Sequence, residues 1–186
     1  DGEIDACISA GNTGACVAAA QMRLRRLRGV HRPGIAIITP TPSGPVAVCD
    51  VGANVNCRPA HLHQYGIMAS VYVNAICGVT EPRVGLLSIG EEEAKGNALV
   101  KETRDLLKAD GNVHFVGNVE GRDLFSGECD VIVCEGFVGN VVLKLIEGMA
   151  SAVGEAIIRE LFATLPEQAG AIQKAGRQLM NKYDYN

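Results

Sequence analysis

The chain has no CxxC pair, no cluster of metal-ligand residue types, no GxGxxG after a strand and no apolar run near the roughly 20 residues that span a bilayer. Each absence removes a class of function. Its cysteines, Cys7, Cys16, Cys49, Cys57, Cys77, Cys129 and Cys134, sit mostly within apolar runs such as Val131-Ile132-Val133-Cys134. They read as small buried hydrophobes in a reducing compartment, not as a disulfide frame or a zinc site. The missing glycine fingerprint argues against a dehydrogenase. The histidines His31, His61, His63 and His114 have no Ser or Cys nucleophile pattern beside them and read as structural, so neither a metal nor a cofactor is expected. Basic residues are outnumbered, with 17 Lys and Arg against 21 Asp and Glu, and they cluster only at Arg23, Arg25, Arg26 and Arg28. That run reads as the wet face and carboxyl end of a helix, where cations suit the dipole, and nucleic acid is not an expected partner. No signal segment opens the sequence, so the expected location is the cytosol or, at most, the surface of a membrane. The start at Asp1 without Met points to a fragment of a longer protein.

What is present fits one ordinary globular domain with an appendage, since 47% of the 186 residues are hydrophobic and 20% charged. Strands are expected at Ile4 to Ser9, Gly34 to Ile38, Pro45 to Asp50, Arg83 to Ile89, Val113 to Val116 and Asp130 to Cys134. Helical spacing covers about Thr13 to Leu27, Pro59 to Cys77, Glu93 to Lys108 and Gly139 to Phe162, with Pro59 suited to a helix start. The alternation predicts an α/β fold with a doubly wound, mostly parallel sheet and helices on both faces, over residues 1–140. Residues 141–186 read instead as a long helix broken at Pro166 and a second helical segment to about Met180, a helical hairpin outside the sheet. Its apolar positions Val142, Leu145, Met149, Val153, Ile157, Leu161, Ile172, Leu179 and Met180 recur at helical spacing.

In such sheets ligands bind outside the carboxyl ends of the strands, and the loops there hold the candidate site residues. Asn12, Thr13 and Gly14 lie between a strand and a helix, where backbone N–H groups form an anion site; a plain helix cap by Asn12 or Thr13 is the alternative. Gly139 and Asn140 repeat that arrangement, with a carboxamide able to donate to phosphate or an oxyanion, or simply to cap. Asp50 and Asn54 flank Gly52, either orienting a lysine or water or shaping a turn. Lys95 follows Glu91, Glu92 and Glu93 and precedes Gly96, at a position poorly matched to a helix dipole. It is either paired with one of those acids or is a cation for phosphate or a thioester carbonyl.

The segments Ile8-Ser9-Ala10-Gly11-Asn12-Thr13-Gly14-Ala15, Cys49-Asp50-Val51-Gly52-Ala53-Asn54, Val84 to Gly96, Gly117-Asn118-Val119-Glu120-Gly121 and Asp130 to Val141 closely resemble the PlsX family of acyl-acyl carrier protein:phosphate acyltransferases. Five motifs in order carry the resemblance, over the whole chain. It implies acyl transfer from acyl carrier protein to inorganic phosphate, giving acyl phosphate for bacterial phospholipid synthesis. It also implies a homodimer, peripheral membrane contact through residues 141–182, and a fold like that of phosphotransacetylases and the isopropylmalate dehydrogenase group. The family's catalytic lysine and asparagine match Lys95 and Asn140. The hairpin, with Lys174, Arg177 and Lys182 near its apolar stripe, is expected to meet an anionic bilayer or a second subunit. The family's N-terminal glycine-rich strand end and C-terminal glycine-rich strand region have no counterpart in these residues. A phosphotransacetylase using coenzyme A and a phosphate- or acyl-binding module without turnover are the competing readings.

Overall fold

The computed structural model describes residues 7–183, with side chains through 178. Five strands, β1 (Ala36–Thr41), β2 (Gly44–Cys49), β3 (Arg83–Leu87), β4 (His114–Val119) and β5 (Val131–Val133), form one sheet in the order β1-β2-β5-β3-β4. β2, β5, β3 and β4 run parallel, and β1 pairs antiparallel with β2. The parallel set brings the carboxyl ends of β2, β5 and β3 side by side on one edge. At the opposite edge Arg83 grips Asp130 through Nε (2.9 Å) and a second guanidinium nitrogen (3.0 Å), tying the start of β3 to the start of β5. Burial raises the Asp130 pKa, but the Arg83 guanidinium and backbone N–H outweigh it and hold the carboxyl below its ordinary value.

The described residues also contain five helices: α1 (Thr13–Arg23), α2 (Pro59–Cys77), α3 (Ala98–Ala109), α4 (Gly136–Thr164) and α5 (Ala169–Tyr183). α2 starts on Pro59, whose missing N–H costs nothing there, and stops at Gly78, which takes the left-handed conformation at φ 73°. Its Leu62, Tyr65, Ala69 and Val73 pack on Ala47, Cys49, Val84, Leu86, Val131 and Val133. Burial of each such large apolar side chain contributes about 1.5–3 kcal/mol. α3 covers the same face, and its Leu107 lies so near Gly66 that a Cβ there would stand 2.9 Å from it. The alternate strand residues Val46, Val48 and Ile132 are buried too, which explains why these strands are apolar throughout.

Several boundaries differ from the sequence expectation, among them β1, which runs over Ala36–Thr41 rather than Gly34 to Ile38, and β4, which continues to Val119 rather than ending at Val116. Of the strand expected at Ile4 to Ser9, residues 4–6 lie outside the described residues, and residues 7–9 form no strand. α1 stops at Arg23, so Arg25, Arg26 and Arg28 lie in the following loop, where Arg25 is left-handed at φ 64°. None of α1 is buried, so no packing extends it. α3 starts at Ala98 rather than Glu93, capped by Asn97, whose side chain accepts the Val100 N–H at 3.0 Å.

The contacts divide the chain into residues 1–140 and residues 141–186. In the second unit, Pro166–Gln168 forms a 3₁₀ turn before α5. Gly176 of α5 lies against Ile158 of α4, and Ile172 is buried. Leu145, Met149, Val153, Ile157 and Leu161 of the expected stripe are 39–61% exposed. Leu179 and Met180 lie outside the residues with described side chains. No described helix is long and apolar enough to cross a membrane.

Candidate active site at the carboxyl edge of the sheet

The loop after β2 is built around a buried anion. Asp50 is fully buried. Its Oδ1 accepts the N–H groups of Ile35 (3.1 Å), Gly52 (3.1 Å) and Ala53 (2.9 Å), and its Oδ2 accepts the N–H (2.8 Å) and Nδ2 (3.0 Å) of Asn54. Asn54 Nδ2 also reaches the Pro33 carbonyl at 2.7 Å and the Tyr65 hydroxyl at 2.9 Å. Both side chains are therefore occupied in holding residues 50–54 in one shape, and neither carboxylate oxygen is left for solvent. The Tyr65 phenol sits in this buried corner, and its pKa is raised by burial first and by Cys57 and Asp50 beside it.

The start of α4 is pressed against that loop. Gly136 donates its N–H to the Asn54 carbonyl at 2.8 Å. A Cβ at Gly136 would meet the same carbonyl at 2.7 Å, and one at Gly139 would stand 1.8 Å from the Asp50 carbonyl oxygen. Only glycine fits at either place. Asn140 is the next residue along α4 and is exposed; its carboxamide lies 3.7–3.8 Å from where a Gly52 Cβ would be. Asn140 thus projects beside the Gly52 turn from within the helix rather than from its first N–H groups. Those groups are taken: the Glu135 carboxylate accepts the N–H of Phe137 at 2.7 Å and of Val138 at 2.9 Å. Glu135 is a cap that the sequence reading missed, since it placed the helix start at Gly139.

The loop after β3 carries Lys95. Glu91 pairs with Arg122 at 3.1 Å and Glu93 with Lys108 at 2.6 Å, while Arg104 donates to the Glu93 carbonyl. Among the described residues Lys95 has no ion-pair partner, and its aliphatic stem lies over Gly90, where a Cβ would meet Lys95 Cγ at 2.9 Å. Glu91 and Glu93 thus face other cations, and among the described residues neither the Glu92 carboxylate nor the exposed Lys95 ammonium has an ion-pair partner.

Asn12 caps α1 by accepting the Ala15 N–H at 3.1 Å. Asn12, Thr13 and Gly14 are exposed. Gly14 shares an open cleft of about 730 Å³ with Gln21, Arg26, Arg32, Ala53 and Asn54, which brings the α1 start to the loop built by Asp50. Arg32, not singled out in the sequence, reaches Asn54 Oδ1 at 3.5 Å. His61 lies nearby with its pKa lowered by burial first and then by Arg32, His31 and Arg58 beside it. The three buried thiols are poor nucleophiles: burial raises Cys129 to about 11 and pushes Cys49 and Cys134 up as well. Among the described residues no group of His, Cys, Asp and Glu is arranged to hold a metal ion.

Comparison with known proteins places the chain in a family. The pattern described as "Fatty acid synthesis protein" matches residues 1–186. The chain belongs to this family, the PlsX family to which its motifs point. Among its relatives, the phosphate acyltransferase of Nitratidesulfovibrio vulgaris strain Hildenborough is 48% identical over 187 residues, covering 100% of this chain and 54% of the relative. That of Geobacter sulfurreducens is 50% identical over 188 residues, covering 99% and 54%. The chain spans about half the length of the curated relatives it matches. EutD phosphotransacetylase from Staphylococcus aureus has a similar fold, with a TM-score of 0.59 at 15% identity over 73% of this chain and 47% of that one. The fatty acid synthesis family thus has, in this chain, the α/β architecture expected from its alternating strands and helices.

Proposed function

We propose that the full-length protein carrying this chain is a phosphate acyltransferase that moves a fatty acyl group from acyl carrier protein to inorganic phosphate, supplying acyl phosphate for phospholipid synthesis. The observation that carries the reading is the uncommitted ammonium of Lys95 after β3, on the same sheet edge as Asn140 and the Gly52 turn after β5 and β2. Family membership supports it.

A phosphate oxygen attacks the thioester carbonyl carbon, the carbon–sulfur bond breaks, and the proton of hydrogen phosphate passes to the departing thiolate. Phosphate brings its own charge, so no covalent enzyme nucleophile is needed, in keeping with the raised pKa values of the buried thiols. Lys95 holds the phosphate or the carbonyl oxygen, a charge-assisted hydrogen bond of about 1.5–3 kcal/mol. Asn140 donates to the tetrahedral oxyanion, and the Asn12-Thr13-Gly14 start of α1 cradles phosphate. Asp50, Asn54 and Gly139 act through shape: they fix the turn beside which Asn140 stands. Holding both reactants together supplies a large share of the rate. The exposed stripe of α4 serves a homodimer or a peripheral contact with the inner face of the plasma membrane, leaving the enzyme in the cytoplasm.

The test is incubation of the full-length protein with palmitoyl-acyl carrier protein and phosphate, with acyl phosphate and free carrier protein followed by mass spectrometry. Phosphate-dependent acyl phosphate is expected. Product only from coenzyme A thioesters would replace this reading with a phosphotransacetylase, and phosphate binding without turnover would replace it with a binding module.

A further inference from the structure

The Lys95 loop is fastened by a side chain that the reaction itself does not use. β4 contains a bulge: Val84 pairs with Phe115 but the next residue, Gly85, pairs with Gly117, leaving Val116 over. Gly117 makes this possible at φ 116°, a conformation that side chains rarely adopt. Side chains alternate across a strand, so the extra residue moves Asn118 to the face on which Leu86, its partner in register, packs with α2 and α3. From there Asn118 Nδ2 donates to the Glu92 carbonyl at 3.1 Å. The same carbonyl accepts the N–H of Lys95 at 2.9 Å. One oxygen therefore joins the end of β4 to the backbone turn that carries the lysine. The start of the loop is tied to the same strand, because the Ser88 N–H donates to the Val119 carbonyl at 2.8 Å.

The choice of Asn here does not serve packing. Asn118 is 7% exposed, and its Oδ1 has no hydrogen-bond partner among the described residues. A buried acceptor left unpaired lowers stability, and an apolar side chain of similar size would avoid that loss. The bulge has the same bearing, since it gives up regular pairing in the first half of β4, before Gly117, and so sets the face on which Asn118 stands.

We propose that Asn118 is a positioning residue that sets where the Lys95 ammonium stands, with Gly117 aiming it. The inference rests on the reading of Lys95 as the cation of the acyl transfer, and it deepens that reading by naming what holds the cation in place.

The test uses Asn118→Leu and Asn118→Asp in the full-length protein. Leucine removes both the donor and the unpaired acceptor, so its thermal midpoint is expected to equal or exceed that of the parent. With one positioning hydrogen bond gone, KM for phosphate is expected to rise about fivefold to tenfold in both variants, with KM for the acyl donor changed less than about twofold. Without any substrate, acetic anhydride labelling of Lys95, read by mass spectrometry, is expected to speed up about fivefold. Folded variants that label Lys95 at the parental rate would overturn the proposal. If the parent forms no acyl phosphate, the functional reading fails while the labelling comparison still decides the role of Asn118. Should Asn118→Leu not fold, the smaller Asn118→Ala is judged by the same labelling rate.

Discussion

The loops that follow β2 and β3 leave the same edge of the same sheet, yet they are built on opposite principles. Residues 50–54 wrap around a buried carboxylate that accepts three N–H groups on one oxygen and two on the other. Shape there comes from a charge hidden inside the loop. Residues 90–96 keep their charges outside. The carboxylates of Glu91 and Glu93 are drawn away to Arg122 and Lys108, and the backbone is held at the Glu92 and Glu93 carbonyls. The first design yields a rigid wall with no charge to offer. The second yields a cation with no partner, which is what an anionic reactant requires. A site for phosphate and a thioester needs both, and two parallel strands on either side of β5 deliver them to the same edge.

Glycine substitutions separate the designs most sharply. Gly139→Ala drives a Cβ to 1.8 Å from the backbone oxygen of Asp50. Backbone on both sides leaves no room to relax, so the loss of stability should reach at least about 3 kcal/mol in thermal or urea unfolding. Gly90→Ala meets only the flexible ends of Glu92 and Lys95 and should lose about 1 kcal/mol. Equal losses would break the comparison. Asp50→Asn comes next. The amide turns an acceptor into a donor facing the donors of Asn54, and about 3 kcal/mol should be lost, whereas Glu93→Gln in the exposed loop should leave the thermal midpoint unchanged. Lys95→Met then isolates function from fold. With no ion pair to lose, its stability should stay within about 0.5 kcal/mol of the parent, while phosphate-dependent acyl phosphate formation should fall at least about 100-fold. Full activity from the folded variant would remove Lys95 from the site.

α2 was legible to the residue because its signals are local: Pro59 starts it, Gly78 ends it, and the apolar spacing between them is unambiguous. Five of the six expected strands were legible for the same reason, with ends shifted by up to three residues, whereas residues 7–9 of the expected first strand form none. What escaped was pairing. Nothing in Thr41-Pro42-Ser43-Gly44 states that β1 turns back antiparallel on β2, or that β5 inserts between β2 and β3. The start of α3 was misplaced because the Glu91-Glu92-Glu93 run resembles the acidic first turn of a helix. It is instead held as a turn outside the helix by Arg122, Lys108 and Arg104, partners up to 31 residues away. Candidate residues were readable by type, but their division into exposed and consumed was not. Asp50 and Asn54 have the chemistry of ligands, and only the fold reveals that Ile35, Pro33 and Tyr65 already occupy them. Glu135 was within reach, since an acid directly before a glycine and an apolar run fits the positive end of a helix.

The smallest expected effect tests the acidic loop by loosening it without mutation. The Glu93 carboxyl is held below its ordinary pKa by its hydrogen bond to Lys108 first, then by the charges of Lys108 and Arg104. A lowered folded-state pKa means that the contact contributes above the unfolded value and is lost as pH falls through the folded one, a window that opens below about pH 4. Salt should mimic acid, because at 1 M the screening length shrinks to about 3 Å and exposed pairs such as Glu91–Arg122 lose most of their attraction. Amide hydrogen exchange at residues 91–96 should therefore accelerate in 1 M salt, modestly, because the Asn118 and Arg104 contacts to backbone carbonyls persist. Residues 52–54 should keep their protection, since the Asp50 carboxylate faces N–H groups that salt cannot reach. Equal acceleration in both loops would mean that the buried carboxylate is not what holds the first.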